Sequence, residues 1–310
     1  MKSNFLFVIV KLSLKLKWGN TMNRRNEIHL KAYAKINLGL DVVRRREDGY
    51  HEVRMVMQTV GIYDRLIITK IPEDEIRINI NLKFLPVNEN NLIYKAYKLM
   101  KDEYGFSGGI DVDLNKFIPI AAGMAGGSTD AASTMFAINR LFELGLSNEE
   151  LMKQGVKIGA DVPYCIMRGT ALAEGIGEKL TKLSPMPHCH IVVAKPPINV
   201  STKMVYESLD AGAITKHPDI DAIIEAINEG DVKKVAERMG NVLEDVTVPM
   251  YPVIAKIKND MISQGAYNAM MSGSGPTVFG IFPDEQTALK CKEYLKAQED
   301  ARQVYITETF

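Results

Sequence analysis

A segment rich in glycine and alanine, residues 119–129, has the composition of a loop that binds an anion. It follows an alternating run at 110–114, which predicts a half-buried strand, and it precedes a helical pattern of apolar residues. Small residues let a backbone approach a ligand, and a helix N-terminus attracts negative charge. A tight turn packed for steric reasons is the alternative. We predict a phosphate site formed by Pro119, Ile120, Ala121, Ala122, Gly123, Met124, Ala125, Gly126, Gly127, Ser128 and Thr129.

The glycine spacing of this loop differs from that of two common phosphate motifs. No lysine follows the glycines, as the loop G-x-x-x-x-G-K-[ST] requires. The dinucleotide pattern G-x-G-x-x-G also fails, because Gly123, Gly126 and Gly127 are separated by three and one. A different kind of phosphate loop is therefore required.

The composition of the chain limits its partners. Of 310 residues, 38 are Lys or Arg and 38 are Asp or Glu, so the formal net charge is zero. Nucleic acids and anionic membranes bind basic faces, so we expect neither as a partner. Three scattered cysteines are typical of a reducing cytoplasm. We expect a cytoplasmic monomer or weak homodimer.

Two segments resemble known signals but lack part of each pattern. The sequence His188-Cys189-His190 has no second Cys or His pair at a ligand spacing, so we predict a turn there and no protein-held metal. The apolar run at 5–10 is far short of the roughly 20 residues of a spanning helix, and no small-residue cleavage site follows it. We expect residues 1–21 to be a non-native or loosely attached extension.

The remaining pattern mixes strands and helices along the chain. Strands are predicted at 66–69, 76–80 and 110–114, and helices at 91–103 and from about Asp130 to a C-terminal Gly145. Ser147 and Glu150 form a capping box for the next helix. Residues 160–163 should form a turn, which places Asp161 near the end of an element.

The prolines at 185 and 187 are typical of a junction between domains. Strands dominate before this point, and helices with strands follow it. We therefore predict an α+β fold of two lobes with a cleft between them, made of residues 22–184 and 185–310.

Three motifs in order resemble those of the GHMP kinase superfamily. They are residues 34–38, with the sequence Ala-Lys-Ile-Asn-Leu, the loop at 119–129, and residues 271–277. Two more stretches, 48–51 and 159–163, are similar to the branch that phosphorylates a diphosphocytidyl sugar alcohol on the non-mevalonate route to isoprenoid precursors. The resemblance runs from about residue 30 to the C-terminus. It implies the fold of that superfamily, an active site in its cleft, ATP bound by 119–129, Mg²⁺, and a small-molecule acceptor.

The resemblance also implies catalytic roles for two residues. Asp161 would accept the proton of the substrate hydroxyl, and Lys35 would keep that carboxylate ionised and stabilise the developing alkoxide. Asn37 would orient the substrate, since a strand places it on the same side as Lys35. Without the resemblance, Asp161 near a proline is more typical of an N-cap, and Lys35 is more typical of a solvated strand lysine.

Substrate recognition is implied for four further residues. Tyr50 would stack on cytosine and His51 would bind its edge, although a lone Tyr-His pair is more often a packed pair. Thr202 and Tyr206 would complete the pocket, with Tyr206 on the other face of the base. Ser128 is a candidate contact for Mg²⁺, which would be held mostly by ATP and water.

The loop departs from the family pattern at two positions, and two other functions stay open. Met124 and Ala125 stand where members often have Leu and Gly, and Ala125 is compatible with the loop only if its φ is below zero. A homoserine or mevalonate kinase is one alternative, against which the sequence Gly49-Tyr50-His51 argues. A catalytically silent sensor of a small molecule is the other, against which the intact Lys35 and Asp161 argue.

Overall fold

The computed structural model describes residues 26–310, so the predicted extension at 1–21 lies outside the described residues. Eleven strands and ten helices form this part of the chain, which confirms the α+β class. Within it, none of the helices combines the length and the apolar composition that crossing a bilayer requires.

The described chain divides by packing into two units. The first contains residues 26–33, 63–118 and 126–166, and the second contains 34–62, 119–125 and 167–310. Two long strands, β1 (Glu27–Arg45) and β2 (His51–Ile71), contribute to both units. Because the units interleave along the chain, the division into domains at 22–184 and 185–310 stays a prediction.

In the first unit, strands run in the order β3-β4-β2-β1, where β3 is Ile76–Ile80 and β4 is Gly109–Asn115. Strand β4 is parallel to β3 and antiparallel to β2, with Leu114 opposite Leu66. Four helices begin in this unit: α1 (Leu92–Tyr104), α2 (Gly126–Leu141), α3 (Asn148–Gly155) and α4 (Val162–Met167). Helix α2 is central, since twelve of its sixteen residues are buried.

Local capping explains several helix boundaries of the first unit. Asn91 caps α1 by accepting a hydrogen bond from Ile93 N at 2.9 Å. The predicted capping box of Ser147 and Glu150 is present at α3. Helix α2, however, begins at Gly126 and not at Asp130, because the first turn needs no intrahelical N–H bonds and therefore tolerates glycine. The same helix ends at Leu141, before the predicted Gly145.

In the second unit, β1 pairs in parallel with β8 (Gly240–Asn241), and β2 pairs antiparallel with β5 (Thr170–Glu174), which in turn pairs with β6 (Lys179–Lys182). A separate antiparallel sheet has the order β11-β7-β10-β9. Its strands are β7 (His190–Lys195), β9 (Asn268–Met271), β10 (Val278–Phe282) and β11 (Gln303–Glu308). The helices of this unit are α5 (Thr202–Ser208), α6 (Ile220–Glu229), α7 (Val232–Arg238), α8 (Glu244–Met250), α9 (Val253–Ser263) and α10 (Glu285–Ala297).

Candidate active site

Lys35 and Asn37 lie two residues apart on β1, so their side chains share one face of the strand. Both are buried, at 5% and 0% exposure. Lys35 Nζ donates a hydrogen bond to Asn37 Oδ1 at 2.8 Å, and Asn37 Nδ2 donates to Met55 Sδ at 3.2 Å. Burying polar groups is costly unless they are hydrogen-bonded, so this pairing fixes the orientation of the amide.

The same strand is tied to the glycine loop through the backbone. Lys35 N donates to Met124 O at 3.2 Å. On the other side of the loop, Ser272 Oγ donates to Gly123 O at 3.1 Å. A Cβ atom at Gly123 would lie 2.1 Å from Ser272 O, so only glycine allows this approach. The second unit therefore brings together the three segments that carry the kinase resemblance: 34–38, 119–125 and 271–277.

The turn at 272–275 is itself held by a buried amide that the sequence did not single out. Asn241 Nδ2, at the end of β8, donates to Met271 O at 2.9 Å and to Gly273 O at 2.8 Å. Because one carbonyl directly precedes the turn and the other lies within it, Asn241 holds the backbone on both sides of Ser272, the residue that contacts Gly123.

The loop contains two alanines in the left-handed region. Ala121 has φ 50° and Ala125 has φ 57°. The prediction that Ala125 is compatible with the loop only at a φ below zero is therefore wrong. Its neighbours explain the difference: the Met124 carbonyl is bonded to β1, and Gly126 begins α2, so the residue between them must turn the chain. An alanine in this conformation costs about 1 kcal/mol relative to glycine.

Residues 126–129 form the first turn of α2. The first four N–H groups of a helix have no intrahelical partner, and the helix dipole adds positive potential there. No acidic side chain lies in this turn. This part of the predicted phosphate site has the electrostatic character that an anion requires.

The residues predicted to bind substrate lie on two elements of the second unit. Tyr50 is 60% exposed and lies in the turn between β1 and β2, where its N–H donates to Asp48 Oδ1 at 3.1 Å. His51 begins β2, and its ring centroid lies 5.3 Å from that of Tyr206 on α5. The structure therefore brings His51 and Tyr206 together and leaves the Tyr50 side chain open to solvent.

Thr202 begins the helix that carries Tyr206 and faces the turn at 272–275. Its Oγ1 lies 2.7 Å from Ser274 Oγ, so these hydroxyls share a hydrogen bond. Residues four apart lie on one face of a helix, which places Thr202 and Tyr206 on the same side of α5. The hydrogen bond between the two hydroxyls therefore holds the face of α5 that carries Tyr206 against the turn.

His51 has a buried ring nitrogen, Nε2, that is available to a ligand. The residue is 9% exposed, and its Nε2 has no hydrogen-bond partner among the described residues. Burial lowers the pKa of His51, and the nearby charge of Arg45 lowers it further. A neutral imidazole presents one donor and one acceptor, which suits the edge of a base.

Asp161 belongs to the first unit and immediately precedes α4. Its backbone carbonyl accepts a hydrogen bond from Cys165 N at 3.0 Å, which makes it the last residue before the helix. The turn predicted at 160–163 is therefore wrong in its second half, because Val162 and Pro163 already belong to α4, whose first turn tolerates proline. Asp161 is half-buried. Its catalytic role stays a prediction.

A buried ionic cluster flanks the loop and was not predicted. Lys116 Nζ bonds to Asp64 and, at 2.6 Å, to Asp130 Oδ2. These side chains are at most 5% exposed. The only signal in the sequence is that Lys116 and Asp130 stand just before and just after the loop. Across residues 26–310, no group of three or more His, Cys, Asp or Glu side chains is placed to hold a metal ion.

We predict that Gly123→Ala disrupts the loop, because the new Cβ meets the Ser272 carbonyl oxygen. Gly145→Ala is the matched control, since Gly145 has φ 72°, close to the 71° of Gly123, but nothing lies within 4 Å of its added Cβ. Backbone strain should lower the free energy of unfolding of the control by about 1 kcal/mol, and Gly123→Ala should lower it by about 3 kcal/mol or more. Thermal unfolding midpoints measure the difference, and equal losses would contradict the close contact.

Comparison with known proteins identifies the family of this chain. The profile of the GHMP kinase N-terminal domain matches residues 91–169, and that of the GHMP kinase C-terminal domain matches 223–301. A 4-diphosphocytidyl-2-C-methyl-D-erythritol kinase of Lachnospira eligens is 71% identical, covering 91% of this chain and 98% of its own. The enzyme of that name from Lachnoclostridium phytofermentans is 52% identical, covering 91% and 97%.

A solved structure agrees with these matches. The crystal structure of a 4-(cytidine 5'-diphospho)-2C-methyl-D-erythritol kinase is 30% identical and covers 91% of this chain and 99% of its own, with a TM-score of 0.78. The fold, the two domain profiles and the relatives lead to one conclusion. The chain is a small-molecule kinase that belongs to the GHMP kinases and, among them, to the 4-diphosphocytidyl-2-C-methyl-D-erythritol kinase family.

Proposed function

We propose that this kinase transfers the γ-phosphate of ATP to the 2-hydroxyl of 4-diphosphocytidyl-2-C-methyl-D-erythritol, a step of the non-mevalonate route to isoprenoid precursors. The observation that carries the proposal is the match, along almost the whole chain, to relatives named for this substrate. The described residues supply groups suited to the phosphates, the hydroxyl and the base.

Residues 119–129 would hold the phosphates of ATP. The support for this role is the start of α2, where the first four N–H groups have no intrahelical partner and no acidic side chain lies in the first turn. The hydroxyl oxygen of Ser128 is of the type that Mg²⁺ prefers, so this residue fits the ion as a partial ligand. When bound, Mg²⁺ neutralises charge on the β- and γ-phosphates.

Three residues would act on the substrate hydroxyl. Asp161 would accept its proton as the oxygen attacks phosphorus. Lys35 would stabilise the developing negative charge, and its bond to Asn37 supports this role because it holds the amino group in one place. Asn37 would hydrogen-bond to the substrate and orient it.

Cytosine recognition would involve an aromatic surface and a polar edge. His51 supports this role through its buried Nε2, which lacks a partner within the described chain. Tyr206 lies beside it, and the exposed Tyr50 ring is free to cover a face of the base. Thr202 would complete the pocket, with its hydroxyl held by a hydrogen bond to the hydroxyl of Ser274.

A cytoplasmic monomer or weak homodimer is part of the same proposal. The cysteines support the compartment: Cys165, Cys189 and Cys291 are all buried, and within residues 26–310 none of them forms a disulfide, as in a reducing compartment. Burial raises the pKa of Cys189 and Cys291 to about 12, so neither thiol is reactive near neutral pH.

The Asp161→Asn substitution should lower kcat by about 10²–10⁴, the usual effect of removing a general base. Asparagine has the shape of aspartate but does not accept the proton. Binding of a non-hydrolysable ATP analogue, measured by calorimetry, should stay within about threefold of the wild type, since the loop is unchanged. A near-normal kcat would remove Asp161 as the base.

The Tyr50→Ala substitution should raise KM for the cytidyl substrate about tenfold, because stacking on a base contributes about 1–3 kcal/mol. Tyr267→Ala is the matched control, since Tyr267 is also an exposed tyrosine of the second unit. Steady-state kinetics should show no change in KM for ATP in either variant. A change confined to KM for ATP would mean that the two pockets are misassigned.

Binding of CDP should weaken in acid through protonation of His51. Its pKa lies below the ordinary value of about 6.5, so the imidazole is neutral at pH 7 and gains a proton only as the pH falls below that value. Protonation removes its acceptor, so the affinity measured by calorimetric titration should fall as the pH is lowered below the ordinary value for histidine. In His51→Gln this fall should vanish; an equal fall in that variant would exclude His51 as its source.

A further inference from the structure

The chain segments on the two sides of the glycine loop converge on one buried ammonium group. Lys116 lies three residues before the loop, and Asp130 lies directly after it. Lys116 Nζ donates a hydrogen bond to the carboxylate of Asp130 and another to that of Asp64 on β2. All three residues belong to the first unit, so the cluster is a feature of one packed body.

Asp64 fixes the segment that enters the loop. Its Oδ1 accepts hydrogen bonds from the backbone N–H groups of Phe117, at 2.5 Å, and Ile118, at 2.8 Å. Its Oδ2 accepts from Lys116 Nζ. The fully buried carboxylate thus holds three consecutive residues, the last of which immediately precedes Pro119.

The entering segment is also held by an amide. Lys116 N donates to Asn81 Oδ1 at 2.9 Å, and Asn81 Nδ2 donates to Lys116 O at 3.3 Å. Both backbone polar groups of Lys116 are thereby satisfied, and its side chain is directed by the two carboxylates.

The same ammonium fixes the segment that leaves the loop. Asp130 lies on the second turn of α2, and its Oδ2 accepts from Lys116 Nζ at 2.6 Å. A Cβ atom at Gly126 would lie 3.2 Å from that Nζ and 3.1 Å from Ile118 Cγ2. Because Gly126 has no side chain, the Lys116 ammonium can lie close to the start of the helix.

The Lys116 ammonium is needed to balance the buried carboxylates of the cluster. Burial raises the pKa of Asp130, and the neighbouring carboxylate of Asp64 raises it further, although Lys116 opposes both effects. The two carboxylates raise the pKa of Lys116 against the effect of burial, so the ammonium stays charged. Removing the cation would leave buried carboxylates without their partner, which is strongly unfavourable.

We propose that Asp64, Lys116 and Asp130 are positioning residues for the phosphate loop: by joining the entering and leaving segments, they set the spacing of residues 119–129 that ATP phosphates require. They act through the loop and not by contact with the substrate. The proposal rests on the proposed function only in taking ATP phosphates as the ligand of the loop.

The test compares Lys116→Met with Lys70→Met by calorimetric titration of ADP and, separately, of CDP. Lys70 is a matched control because its Nζ lies 3.5 Å from Leu141 O, at the opposite end of the same helix α2. Lys116→Met should weaken ADP binding at least about tenfold and leave CDP binding within about twofold. Lys70→Met should leave both affinities unchanged.

A second pair of variants keeps the test decisive if Lys116→Met does not fold. Asp130→Asn retains an oxygen that accepts from Lys116, so ADP affinity should stay within about threefold, whereas Asp130→Leu should lose about tenfold or more. Wild-type ADP affinity in folded Lys116→Met, or equal affinities in the two Asp130 variants, would overturn the proposal. Wild-type protein that binds ADP but not CDP would contradict the proposed substrate and leave this inference standing.

Discussion

The site depends on a backbone contact between segments that are far apart in the sequence. Gly123 lies so close to the Ser272 carbonyl that no side chain fits between them, while the next residue, Met124, accepts a hydrogen bond from the backbone of Lys35. The loop is thereby held on both sides within the second unit. Because the contact involves main-chain atoms, no change of side-chain rotamer can relieve it, and the left-handed Ala121 and Ala125 lie on the path that it imposes on the loop.

The chain has no formal net charge, and the charged groups near the site are each held by neighbouring polar groups. The start of α2 provides positive potential from backbone dipoles, and the ammonium of Lys116 is balanced by two buried carboxylates. Lys35 is directed by the oxygen of Asn37. Polar groups that are held in place before the ligand arrives need little reorganisation during the reaction, which is the main way that proteins assist phosphoryl transfer.

Features encoded in neighbouring residues could be predicted from the sequence. The capping box at Ser147 is present, and β4 and α1 lie within one residue of where the sequence pattern placed them. Of the long strands β1 and β2, only residues 66–69 of β2 were predicted from alternation. The rest escaped because continuous stretches of both strands are buried on both faces, which removes the alternation. The cluster around Lys116 escaped because Asp64 is 52 residues away in the chain. The start of α2 was misplaced because glycine is a poor helix former in general but is tolerated in the first turn.

The central claim is that this kinase acts on the hydroxyl of a cytidyl substrate. The most direct measurement is release of ADP by the purified protein with ATP and, in turn, 4-diphosphocytidyl-2-C-methyl-D-erythritol, mevalonate and homoserine. The account predicts turnover with the cytidyl compound and none above background with the other two. Release of ADP with mevalonate or homoserine alone, or binding of ATP and the cytidyl compound without any ADP release, would contradict it.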